Sequence, residues 1–209
     1  MRKLFFFLLG VHLLPSQPAA QLDKKYFDGL YNSLAYGRTE SVFASLKEAY
    51  ASAGVHFPDA MILKLQPFNE PLSYYNHDER SIKLSEMMNM PEQGSLYWRN
   101  WSNVLTDNKW KPNQHFKDEA EMMLAGNFAI LGILAHEMGH AADYQYEIGR
   151  FRANDNEDLN NAIKELVADE LAVMIMKKLA IDIRFKKLLD QYRDKIITSL
   201  RKSAPADRL

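Results

Sequence analysis

Cysteine is absent from all 209 residues. No disulfide can form, the acylated-cysteine anchor of bacterial lipoproteins is closed, and the cysteine-rich ligand sets of structural zinc sites are excluded. An excess of charge is missing too. The 26 Lys and Arg stand against 27 Asp and Glu, a net charge of −1, and this balance argues against nucleic acid or an anionic membrane surface as partner. The chain carries no internal repeat and no low-complexity tract. No apolar run reaches the roughly 20 residues of an ordinary transmembrane helix.

The longest candidate lies at the N-terminus. Residues 1–20 have a basic start at Arg2 and Lys3, an apolar stretch from Leu4 to Leu14, and a short Pro/Ala end before Gln21. That is the layout of a secretory signal peptide, cleaved near Ala20. An exported chain without disulfides fits a bacterial periplasm or secretion, with no stable membrane insertion after cleavage. The mature chain, 21–209, keeps 24 basic and 27 acidic residues, net −3, and is long enough for one domain with a sizeable core.

Against these absences stands one dense motif, His136-Glu137-Met138-Gly139-His140. Positions i and i+4 of an α-helix lie on one face, so both imidazoles can reach one metal ion. Glu137 sits about 100° round from His136, beside the metal rather than on it, where it can accept a proton from water. Residues 117–146 have no proline, acidic first turns and an apolar run from Phe128 to Ala135. They predict a buried helix carrying the motif.

A catalytic zinc needs a third protein ligand and an open position. Residues 157–180 predict a second helix, on which Ala162, Glu165, Asp169, Ala172 and Met176 repeat at intervals of 3 and 4 and share a face. Two carboxylates among small residues call for a cation or a ring N–H opposite them. Glu165 as ligand and Asp169 as acceptor for the outer N–H of a ligating histidine meet that need. Glu170 points about 140° away from Glu165. Asp143 follows His136 by seven positions, about 10 Å along the axis, too far to share an ion, and is read as a structural or supporting residue.

His136-Glu137-x-x-His140 followed 25 positions later by Glu165-x-x-x-Asp169, with alanine at 168, resembles the gluzincin group of zinc metallopeptidases. The resemblance spans about residues 117–180. It implies zinc held by His136, His140 and Glu165, Glu137 as base, and Asp169 in support. The metzincin pattern is not met, because Asp143 stands where that pattern has glycine and no third histidine follows.

The remaining chain supplies a scaffold. Tyr26, Leu30, Leu34, Val42, Phe43, Leu46 and Tyr50 fall at helical spacings within 22–53, giving one or two amphipathic helices broken near Gly37. Met61–Leu65 and Ser81–Ser85 read as strands, and 72–85 resembles a hairpin turning at Asn76–Glu79. By the resemblance, Arg80–Ser85 is either an edge strand that accepts a peptide by β-augmentation or an interior strand with both edges paired. Residues 86–116 hold Trp98, Trp101 and Trp110, read either as a stacking wall for substrate or as apolar plugs under a long loop. Residues 182–202 predict a last amphipathic helix with Ile183, Leu188, Leu189, Tyr192 and Ile196 inward, before a frayed tail.

The expectation is therefore an α+β protein, mainly helical, with a small sheet or hairpin beside the active-site helix. The expected activity is zinc-dependent hydrolysis of a peptide or protein substrate. Tyr144, Tyr146, His77 and His115 are the side chains available to steady an oxyanion. A zinc amidase acting on peptidoglycan peptides and a non-catalytic zinc-stabilised binding protein are the alternatives.

Overall fold

Two short helices, α1 (Lys24–Ala35) and α2 (Thr39–Ser52), open the part of the chain that the computed structural model describes, which is residues 21–66, 73–85, 119–149 and 156–190. Asp23 caps α1 by accepting the Tyr26 N–H at 2.8 Å, satisfying one of the helix's open donors. Gly37, at φ 69°, takes the left-handed conformation that ends α1 and lets the chain reverse into α2. All seven apolar positions expected to face inward on this pair are buried. The phenol of Tyr50, fully buried on α2, donates to the Ala135 carbonyl at 2.6 Å, directly before the histidine motif.

A three-stranded sheet follows in the order β1 (Ile62–Gln66), β3 (Ser81–Ser85), β2 (Ser73–Asn76). The expected hairpin is present: β2 and β3 pair antiparallel, with Tyr75 opposite Ile82. Asn76 accepts the Glu79 N–H within the turn, and Arg80 adopts φ 49°. β1 pairs parallel to the other side of β3, with Ile62 opposite Ser81. β3 is therefore interior, and the reading of Arg80–Ser85 as an edge strand is overturned. Among the described residues β1 and β2 are the two edge strands, and β2 is the one that packs most on the motif-bearing helix.

The helix α3 (Glu119–Tyr146) is the spine of the fold and matches the expected span of 117–146 to within two residues. Its middle, Phe128 to Met138, is apolar on nearly every side because α1, α2, the sheet and α4 (Glu157–Leu179) surround it. Asn156 caps α4 by accepting the Leu159 N–H at 2.9 Å. α3 and α4 cross where Gly139 meets Ala168. A Cβ built on Gly139 would lie 2.7 Å from both the Cα and the carbonyl oxygen of Ala168, so no side chain fits there unless the helices separate.

Residues 183–190 are helical, and Leu188 and Leu189 face the core as expected, but Ile183 does not. Phe185 is fully buried with Leu188 beside it, whereas Ile183 is 74% exposed. On a helix Ile183 lies about 160° from Phe185, and the stripe that can reach the core runs 185, 188, 189. Arg184 ties this segment to α1 through Asp28 at 2.9 Å. Among the described residues no helix is long and apolar enough to cross a membrane. The signal-like residues 1–20, the tryptophan-bearing region 86–116 with His115, and the chain after 190 lie outside the described residues.

Candidate metal centre

α3 offers His136 and His140 from the face that meets α4, and α4 answers with Glu165 and Asp169. His136 Nδ1 donates to Asp169 Oδ1 at 3.0 Å, which fixes the ring and turns Nε2 toward His140 and Glu165. The two Nε2 atoms are 3.0 Å apart, with the rings perpendicular. Glu165 Oε2 lies 3.3 Å from His136 Nε2 and 3.6 Å from His140 Nε2. Three donor atoms thus form a small triangle that could hold a metal ion. A tetrahedral ion with bonds of about 2.0–2.1 Å spaces its ligands roughly 3.3–3.4 Å apart, so the donor set suits a first-row transition metal such as zinc.

The electrostatics of the metal-free site follow from this geometry. Burial works to lower the pKa of His136, but the hydrogen bonds to Asp169 and Glu165 and the nearby Glu137 charge override it and raise the value to about 10. Hydrogen bonds from His136 and His140 hold the Glu165 carboxyl below the usual carboxylate range. A proton thus occupies the place a cation would take.

Two opposite pH trends result. A group whose pKa rises on folding contributes stability that is complete below its unfolded value, near 6.5, and is lost as pH climbs toward 10. The metal-free fold therefore weakens over that window. Metal must displace the same proton, so zinc affinity strengthens over it, by about tenfold per pH unit. Competition with a chelator between pH 6.5 and 8.5 checks the second trend; an affinity flat with pH would mean that His136 enters the site already neutral.

The other residues named from sequence take distinct places. Glu137 is 6% exposed, and its Oε1 accepts the Ser73 hydroxyl at 2.8 Å from the start of β2. Asp143 is buried and accepts the Gly149 N–H at 2.6 Å, shaping the turn that leaves α3. Glu170 is exposed on α4, away from the histidines. The Tyr146 hydroxyl both accepts from the His56 N–H at 3.0 Å and donates to the His56 carbonyl at 2.8 Å, so it serves the scaffold. Tyr144 is 59% exposed and stacks on His77, with ring centroids 5.1 Å apart, one helical turn beyond His140.

Two further residues matter to the site. Gly139, inside the motif, permits the helix crossing that brings Glu165 to the histidines, and its signal was a glycine in a helix interior, where it costs about 1 kcal/mol relative to alanine. Ser73 had no comparable signal. Comparison with known protein families, with curated proteins and with solved structures finds no match. What stands is a mainly helical α+β protein with a partly buried His-His-Glu group able to hold a metal ion.

Proposed function

We propose that this chain is an exported zinc metallopeptidase that hydrolyses peptide bonds. The observation that carries the reading is the donor triangle of His136, His140 and Glu165 with Glu137 on the same helix, about 100° round from His136 and outside the triangle. When bound, zinc supplies a Lewis acid that brings the pKa of water to about 7 and polarises an amide carbonyl. Glu137 accepts the proton that water loses and returns it to the leaving amine. Asp169 holds the His136 ring in the tautomer whose Nε2 faces the ion. An extended substrate lies along β2, which of the two edge strands is the one that packs on α3 and reaches Glu137 through Ser73. The resemblance to gluzincins supports the same assignment, and the composition of residues 1–20 supports export.

The test is metal analysis of the mature chain, purified without added zinc, together with hydrolysis of casein and of purified sacculi. We expect about one zinc per chain and cleavage of casein, abolished by chelation while helical content persists, because a core of this size does not depend on one ion. Cleavage of sacculi alone would assign a peptidoglycan amidase instead. Zinc without hydrolysis of either would assign a binding protein, and absence of any transition metal would sink the enzyme reading.

A further inference from the structure

We infer that Ser73 is a positioning residue for Glu137, an assignment that rests on the peptidase reading. The strand register carries the argument. Ser73 pairs with Leu84 and Tyr75 with Ile82, so these four side chains share the face of the sheet that meets α3. Ile82 and Leu84 are fully buried on that face. An apolar residue at 73 would extend the contact. The hydroxyl placed there instead is partly buried and donates to Glu137 Oε1 at 2.8 Å.

That bond has a consequence for the base. A glutamate side chain turns about three torsions, the last of them broad, so a carboxylate with no partner presents its oxygens over a wide range. With Oε1 held by Ser73, the range open to the carboxylate narrows. Oε2, which has no hydrogen-bond partner among the described residues, is left to take the proton. Because Ser73 belongs to β2, the base is referenced to the edge strand along which the substrate lies, so substrate and base keep a common register. Misplacing a catalytic group by about 1 Å costs on the order of 10²-fold in rate.

Kinetics on casein and unfolding of the metal-free chain test this together. Ser73→Ala is expected to lower kcat by about 10–100-fold, with KM and zinc content near wild type, and Ser73→Thr, which keeps the hydroxyl, to recover to within roughly threefold. In denaturant, Ser73→Ala and Glu137→Ala are expected to shift the unfolding midpoint of the metal-free chain by less together than the sum of their separate shifts. An unchanged kcat in Ser73→Ala, a rise in KM alone, or failure of Ser73→Thr to recover would overturn the positioning role. Additive unfolding shifts would overturn the contact itself, whatever the activity. A wild-type chain that binds zinc but cleaves nothing would instead overturn the peptidase reading, and the catalytic part of this assignment with it.

Discussion

Glu137→Gln is expected to leave zinc content at the wild-type level and to cut turnover by about 10²–10⁴, the range general-base catalysis contributes. Glutamine preserves the volume of the side chain, and its amide oxygen can still accept the Ser73 hydroxyl that Glu137 Oε1 accepts at 2.8 Å. The donor triangle is untouched, since Glu137 is not one of its three members. What disappears is the basicity, so a fall in kcat without loss of metal or of thermal stability isolates the proton transfer. Parallel measurement of kcat, zinc content and melting temperature decides it. A variant that stays as active as wild type would show that the proton goes elsewhere.

The helices are legible in the sequence because their signals are local. The apolar run before His136 and the acidic, proline-free turns preceding it predict α3, and Glu165 with Asp169 on one face of 157–180 predicts the element that α4 became. The site was legible for the same reason, since i, i+4 spacing puts two imidazoles together with no knowledge of the fold. The sheet was only half legible. A hairpin is announced by its turn, and β2 with β3 formed as expected, but the parallel partner β1 joins through contacts remote in sequence.

The edge alternative for Arg80–Ser85 rested on the resemblance to zinc peptidases, and the alternation in Ser81-Ile82-Lys83-Leu84-Ser85 reads as a strand with one solvated face. In the fold Ser81, Lys83 and Ser85 are buried as well. Lys83 pairs with Glu79 at 2.8 Å, and a lysine so compensated leaves no trace in a hydropathy pattern. Ser73 was hidden for a related reason: its role depends on which face of β2 meets α3, and that is a tertiary fact. On the last helix Leu188 and Leu189 are inward as expected and Ile183 is not, because Asp182 begins the helix by accepting the Arg184 N–H at 2.9 Å and sets Phe185 toward α1.

Glu165→Ala is expected to remove most of the metal and nearly all activity, and comparison with Asp169→Ala and Asp143→Ala shows why. Structural zinc sites gain about 10–16 kcal/mol from four ligands, so losing one protein ligand costs roughly 3–4 kcal/mol, or a factor of about 10²–10³ in affinity. The loss is not made good from α3, because His136 and His140 both approach from that helix and, among the described residues, α4 is the element that faces them across the crossing. Asp169→Ala leaves all three donors in place and removes the acceptor that orients His136 Nδ1, so about 10–100-fold is expected. Asp143→Ala removes the acceptor of the Gly149 N–H, so its effect falls mainly on stability, about 1–3 kcal/mol, with a smaller loss of zinc affinity. Zinc affinities of the three variants by chelator competition, read beside their unfolding midpoints, separate a ligand from a ring-orienting residue and both from a turn residue. If Asp143→Ala abolished binding and Glu165→Ala left it intact, α4 would have no part in the metal centre and the likeness to gluzincins would be accidental.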